Sequence, residues 1–148
     1  MNIMKGTGEI EVITLGLGPG EKLLESIMKA IDEHGIENGI VVSGIGTLRR
    51  CNMHYINYVN FPPADTVYRL EKPLELLSVS GIIAKKVPHL HIVVSCGDNE
   101  VYGGHLEPGS EVAYLAEIAI LKTSFLPMDR HLDSKRKINL LGPLHKRE

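Results

Sequence analysis

The pattern of apolar and polar residues predicts a chain made mainly of β-strands. Short runs rich in valine, isoleucine, leucine and threonine recur along the sequence, separated by turns that contain glycine, proline, asparagine or aspartate. One run, 74–84, has little polar alternation, which predicts a central strand covered on both faces. Turns this short favour antiparallel pairing of the strands that they join. The predicted strands cover residues 9–17, 36–45, 48–58, 66–70, 74–84, 87–95, 101–106 and 111–122.

A single helix is predicted over residues 21–34. Apolar side chains recur there at helical spacing and form one stripe, while charged residues occupy the other side. Gly35 follows, and a left-handed glycine commonly ends a helix. Many strands with one helix predict an α+β domain in which the helix covers one face of a mainly antiparallel sheet. The length of 148 residues fits one domain, 1–148. The apolar stripe consists of Leu23, Leu24, Ile27, Met28 and Ile31.

Composition and charge narrow the classes of function. The formal net charge is -2, whereas a nucleic-acid binder that acts alone usually has a basic excess. Arg49 and Arg50 are adjacent and are predicted to be an ordinary exposed pair. No apolar segment approaches the roughly 20 residues of a membrane span. The two cysteines, Cys51 and Cys96, belong to no paired motif, so we expect buried thiols and a reducing, cytoplasmic setting.

Three histidines form the densest chemical cluster of the sequence. His89 and His91 lie two residues apart on a predicted strand, so their side chains face the same side. Residues 96–99 supply the glycine and asparagine of a tight turn with positive φ, and His105 lies on the strand that follows. The pattern therefore predicts a hairpin that carries all three imidazoles.

Two registers of this hairpin keep the three histidines on one face. Pairing of Val94 with Glu100 sets the third histidine opposite the first. A slip by two residues, which pairs Ser95 with Val101, sets it opposite the second. A slip by one residue would turn the side chains to opposite faces, and a bulge at the two glycines before the third histidine would change the register too.

Three imidazoles within reach of one another make the protein ligands of a tetrahedral zinc site with one open position. Imidazole also suits copper, nickel and iron, so the residues alone leave the metal open. Hydrogen-bonded structural histidines without a metal are the other interpretation.

An open zinc position can activate water, which makes a small zinc-dependent hydrolase the alternative function. Its candidate general bases are Glu75, Glu107 and Glu117, of which the first and last are each either exposed or paired. His54 is out of phase with its inward-facing neighbours and is predicted to lie at the surface.

Several segments, in order along nearly the whole chain, resemble the PPC domain, the plants-and-prokaryotes conserved domain. They include the strand before the hairpin, both histidine motifs and two glycine-containing segments nearer the start of the chain. The segments are Leu74-Glu75-Leu76-Leu77-Ser78-Val79-Ser80-Gly81, Pro88-His89-Leu90-His91, Val101-Tyr102-Gly103-Gly104-His105-Leu106, Pro19-Gly20-Glu21-Lys22-Leu23 and Val42-Ser43-Gly44-Ile45-Gly46-Thr47-Leu48.

The resemblance implies an α+β fold with a strongly curved antiparallel sheet, a main helix packed on it, and a homotrimer. In prokaryotic members the His-Leu-His and Gly-Gly-His motifs are associated with bound metal, for which zinc is the expected ion. By resemblance, this role falls on His89, His91 and His105 here.

The resemblance also bears on DNA. Plant members attach AT-hooks, Arg-Gly-Arg-Pro elements that read the minor groove of A·T sequences. In this chain Arg49-Arg50 is followed by Cys51, and the basic segments 135–137 and 145–147 lack the glycine. The resemblance thus implies a stand-alone member without an AT-hook. Its expected role is a trimeric zinc-binding assembly or regulatory protein, with DNA association as a further expectation and no assigned catalytic residue.

Overall fold

The computed structural model describes residues 1–97 and 100–144, which form nine β-strands and one α-helix. The strands pair antiparallel throughout. The predicted α+β class with a curved antiparallel sheet and one main helix is therefore confirmed. The elements are β1 Glu11–Leu17, α1 Leu23–Glu33, β2 Asn38–Ile56, β3 Asp65–Leu70, β4 Leu74–Ala84, β5 Val87–Cys96, β6 Glu100–Leu106, β7 Glu111–Lys122, β8 Met128–Asp133 and β9 Ile138–Pro143.

Strand β2 is one element of 19 residues, whereas the sequence predicted two strands with a break at the glycines. The break was wrong, but the same two glycines also predicted a close backbone approach or a bulge, and the structure has both there. A Cβ on Gly44 would lie 2.6 Å from the Cβ of Val79, and one on Gly46 would lie 2.3 Å from the carbonyl oxygen of Leu115. The register of β2 against β7 shifts between Val41 and Ser43 and again on either side of Leu48, as at a β-bulge.

Seven strands form the main sheet, in the order β1-β7-β2-β4-β5-β6, with β3 beside β2. Because β2 also pairs with β6, the strands β2, β4, β5 and β6 close into a ring. Met53 pairs with Leu106 at this closure, and His54 pairs with His105. Strands β8 and β9 form a separate hairpin in a region for which the sequence had predicted no strand.

The core lies between α1 and the inner face of the sheet. Leu23, Ile27 and Ile31 of the predicted stripe are buried, although Met28 is about half exposed. The prediction that β4 is covered on both faces was wrong for the single chain. Leu76 is buried, whereas its neighbour Leu77 is 49% exposed, as in a sheet with one covered face.

The two cysteines are buried free thiols, as predicted. Burial raises the pKa of the Cys51 thiol to about 11, against a smaller opposite effect of a hydrogen bond with Ser110. A thiol with this pKa is overwhelmingly protonated near neutral pH, so Cys51 acts as a small apolar core residue.

Two parts of the sequence-based description lie outside the described residues. One is the pair Asp98-Asn99 of the expected turn, and the other is the basic segment 145–147. Gly97, in the same turn, is described and has the expected positive φ of 52°. The assignment of 1–148 to one domain stays a prediction. Within the described part of the chain, no helix is both long enough and apolar enough to span a membrane.

The close approach of β6 to β2 predicts a specific effect of mutation. A Cβ on Gly104 would lie 2.6 Å from the carbonyl oxygen of His54, which is backbone and cannot swing away. We expect Gly104→Ala to lower the free energy of unfolding by about 1–3 kcal/mol, the usual cost of forced overpacking. Chemical denaturation, followed by circular dichroism, measures the change.

Gly103→Ala is the matched control. A Cβ there would meet the carbonyl oxygen of Ile92 at 3.2 Å and Cγ2 of Val93 at 3.7 Å, which a small adjustment relieves. We expect its free energy of unfolding to stay within about 1 kcal/mol of the wild-type value. Equal destabilisation by both substitutions would contradict the interpretation of the β2–β6 closure.

Candidate metal centre

Four histidines project from the outer surface of the closed ring of strands. His89 and His91 come from β5 on either side of Leu90, which is buried inside the ring. His105 comes from β6 and His54 from β2. Strand alternation accounts for this arrangement, because each histidine has an adjacent residue, Met53, Leu90 or Leu106, that is buried in the core and turns the imidazole outward.

The hairpin adopts the second of the two registers that the sequence allowed. Ser95 pairs with Val101, and His91 lies opposite His105. The expectation that all three histidines of the hairpin share a face is therefore met in the structure. They line a surface cavity of about 370 Å³ together with His54, and Tyr55, Ile56 and Gly104 complete its wall.

The spacing of three of the rings suits a single ion. The ring centroids of His89 and His91 are 5.4 Å apart, and His105 lies 5.2 Å from the first and 5.8 Å from the second. Because a zinc–nitrogen bond is about 2.0–2.1 Å long, imidazoles that share one tetrahedral zinc ion have ring centroids about 5 Å apart. The three residues therefore fit a metal ion by donor chemistry and by spacing.

His54 contacts this cluster, although the sequence predicted only a surface position for it. It was expected at the surface without a role, but its side chain is only 23% exposed and its ring stacks on that of His105. The two centroids are 4.4 Å apart with an interplanar angle of 18°. Parallel stacked rings do not converge on one ion in the way that the other three do. No local pattern in the sequence points to this contact, because it depends on the pairing of β2 with β6, which are far apart in sequence.

Glu107 is the one of the three candidate carboxylates that lies beside the histidines. Its Oε1 is 2.6 Å from Nδ1 of His54 and 3.2 Å from Nδ1 of His105. Glu75 and Glu117 are exposed on their strands, which is the simpler of the two readings that the sequence left open. Neither lines the cavity.

A second grouping of donors overlaps the first. Ligand atoms of His54, His105 and Glu107 all lie within 4.8 Å of one another. The 2.6 Å separation between Glu107 and His54, however, is that of a direct hydrogen bond. Two ligands on one tetrahedral ion are about 3.3 Å apart at zinc–ligand bonds of this length. The three-histidine set on β5 and β6 is therefore the better geometric fit.

Electrostatics favour the neutral, metal-binding form of the imidazoles. Desolvation within the cluster lowers the pKa of His89, although the residue as a whole is exposed, and the nearby His105 and Arg130 lower it further. Burial also lowers the pKa of His105, as does His54, against a weaker opposing effect of Glu107. A neutral imidazole has a free lone pair for a metal, whereas an imidazolium has none.

The adjacent arginines on β2 lie within a network of ion pairs. Nε of Arg50 is 2.8 Å from Oε1 of Glu71, and Nη1 of Arg50 is 3.5 Å from Glu111. Nε of Arg49 lies 3.7 Å from Glu111, which also pairs with Lys22. Arg49 is exposed, as predicted, but both guanidinium groups have carboxylate partners within the chain.

Comparison with known proteins identifies relatives of both sequence and fold. The bifunctional protein GlmU of Synechococcus sp. (strain JA-3-3Ab) is 29% identical over 114 residues, which are 77% of this chain but only 17% of GlmU. The metal-containing protein AF0104 of Archaeoglobus fulgidus superposes with a TM-score of 0.80 at 28% identity, covering 95% of this chain and 98% of that one.

Two further solved structures share the fold. A plant- and prokaryote-conserved (PPC) protein of Pyrococcus horikoshii has a TM-score of 0.75 at 23% identity and covers 99% of each chain. A chain of Bacteroides thetaiotaomicron, described as a candidate DNA-binding protein, has a TM-score of 0.73 at 20% identity, over 95% of this chain and 96% of that one. At these identities the likeness establishes the fold alone.

The model of one protein family matches residues 4–124, which are most of the chain and contain all four clustered histidines. This is the family that the sequence motifs resemble, which was abbreviated PPC above. The chain belongs to the Plants and Prokaryotes Conserved (PCC) domain family.

Proposed function

We propose that this chain is a zinc-binding protein that holds the ion through His89, His91 and His105 and acts as a trimeric assembly or regulatory protein. The observation that carries the proposal is the convergence of three imidazoles, with centroids 5.2–5.8 Å apart, on one open surface. Imidazole ligands suit zinc and leave one coordination position free on a tetrahedral ion. The 28%-identical relative from A. fulgidus, which is described as metal-containing, supports metal binding.

The hydrolase alternative has less support. Glu107 is the one candidate base beside the histidines, and its Oε1 already lies at hydrogen-bond distance from two imidazoles. A base that activates water must reach that water, and no carboxylate of the described residues lines the cavity into which the imidazoles face. Assembly or regulation therefore remains our proposal, and a cytoplasmic location stays a prediction.

Metal content tests the ligand assignment. We expect wild-type protein, expressed with zinc and purified without chelators, to carry about one zinc ion per chain, the load of a single three-histidine site. His91→Ala and His105→Ala should each lose most of that zinc, because two imidazoles hold the ion far more weakly than three. Inductively coupled plasma mass spectrometry measures the content.

His34→Ala is the matched control for this experiment. His34 is exposed at the end of α1, away from the cavity, so its removal should leave the zinc content unchanged. Near-zero zinc in wild type and in all three variants would reject the proposal. So would a zinc content that falls as much in the control as in the ligand variants.

The homotrimer is part of the proposal and has support from an apolar surface. Val42, Leu77 and Leu115 project from β2, β4 and β7 on the face opposite α1, and each is about half exposed. These strands are neighbours in the sheet, and association through this face would bury such exposed apolar side chains.

We expect sedimentation equilibrium to give a mass three times that of the chain. Leu77→Glu should shift the protein towards the monomer, because it would bury a carboxylate in the interface. Leu132→Glu, at an exposed position of β8, is the control and should leave the mass unchanged. A monomeric wild type would contradict the trimer.

DNA binding is the second candidate, since a structural neighbour is described as a candidate DNA-binding protein. The ion pairs of Arg49 and Arg50 weigh against it, because those charges are already compensated. We expect this chain alone to show no salt-dependent affinity for duplex DNA. Fluorescence anisotropy at 20–200 mM salt tests this. Binding that weakens linearly with the logarithm of salt concentration would establish phosphate contacts and favour the DNA-binding role.

A further inference from the structure

Glu107 stands at a fixed place beside the metal centre. Its backbone N–H donates to the carbonyl oxygen of Asn52 on β2, at 3.0 Å. Ser110, which is fully buried, donates from Oγ to the carbonyl oxygen of Glu107, at 3.3 Å, and accepts from the N–H of Asn52, at 2.9 Å. The turn after β6 is thereby tied to β2 at the residues that precede His54. The backbone from which the carboxylate projects is thus held to β2 and to the turn itself.

One oxygen of this carboxylate serves two imidazoles. Oε1 of Glu107 lies 2.6 Å from Nδ1 of His54 and 3.2 Å from Nδ1 of His105, and the two rings stack with centroids 4.4 Å apart. An ionised carboxylate can only accept hydrogen bonds, so both Nδ1 atoms must carry the proton for both contacts to be favourable. In a neutral imidazole that leaves Nε2 with the free lone pair.

The consequence for the metal centre follows from the position of His105 in it. With Nδ1 engaged by Glu107, Nε2 is the nitrogen that would bind an ion shared with His89 and His91. Metal-ligating histidines commonly donate their other N–H to a carboxylate, which fixes both the tautomer and the orientation of the ring. His54, stacked on the same ring, blocks its rotation from one side.

We propose that Glu107 is a positioning residue of the zinc centre, which fixes the Nδ1–H tautomer of His105 with His54 as the stacked support. This inference rests on the proposed function, because it assigns the carboxylate a role in zinc binding without making it a ligand. Sequence reasoning reached Glu107 only as a candidate base and missed His54. Their meeting depends on the pairing of β2 with β6.

The test compares Glu107→Ala with Glu107→Gln and with Glu117→Ala. The glutamine keeps a carbonyl oxygen that can accept from Nδ1–H, so it should restore part of the effect. Glu117→Ala removes the same charge from an exposed position on β7 and is the matched control. Denaturation of each metal-free variant checks that the fold is retained.

The first measurement is the tautomer of His105 in metal-free protein, read from long-range nitrogen–proton NMR spectra above pH 8. We expect wild type, Glu107→Gln and Glu117→Ala to show mainly Nδ1–H, and Glu107→Ala to shift towards Nε2–H. A purely structural role would not change which nitrogen carries the proton. An unchanged tautomer in Glu107→Ala would overturn the proposal.

The second measurement is zinc affinity, from competition with a chromophoric chelator. We expect Glu107→Ala to weaken zinc binding about 10–100-fold with unchanged stoichiometry, the usual effect of losing such a partner. X-ray absorption should show the same nitrogen ligands in wild type and variant. Loss of a zinc–oxygen contact in the variant would make Glu107 a ligand and overturn the positioning role. If wild type binds no zinc, the proposed function fails, while the tautomer measurement still decides whether Glu107 positions His105.

Discussion

The pairing of β2 with β6 is the constraint on which the rest of the centre depends. It closes four strands into a ring and sets His54 opposite His105. The approach is possible because residue 104 has no side chain: a Cβ there would lie 2.6 Å from a backbone oxygen of β2. Glycine within a strand costs conformational entropy and offers nothing to pack, so its presence at such a point is explained by a close approach of backbones.

Closure of the ring also explains why the histidines face outward. Met53, Leu90, Ile92 and Leu106 are all nearly or fully buried inside the ring, and they alternate with the four histidines along β2, β5 and β6. The core residues therefore determine the direction of the imidazoles. Strand backbone held by a packed interior gives more precise side-chain positions than a loop would, which suits the metal site that we propose.

Local periodicity predicted the fold class and the face shared by His89, His91 and His105, because both follow from residues close together in sequence. It left two hairpin registers open, since both obey the same alternation, and the structure adopts the one that pairs Ser95 with Val101. The role of His54 could not be predicted in this way. Its contacts with His105 and Glu107 arise from strands about 50 residues apart, and the sequence carries no local sign of that pairing. The two glycines of β2 predicted a close approach or a bulge correctly, but their pattern did not show that the strand continues through them.

The four histidines fall into two groups: three have the arrangement of metal ligands, and the fourth supports one of those three. Three imidazoles converge at the spacing of zinc ligands, whereas the fourth is stacked flat on one of them and shares a carboxylate with it. If all four bound the ion, the coordination sphere would be closed and no position would remain for another ligand. Because Glu107 instead engages Nδ1 of His105 and His54 stacks on its ring, an ion held by the other three imidazoles would keep an open side towards the cavity. Glu107 and His54 would then hold the imidazole of His105 from the side away from the ion. The free coordination position is where an exchangeable ligand would bind.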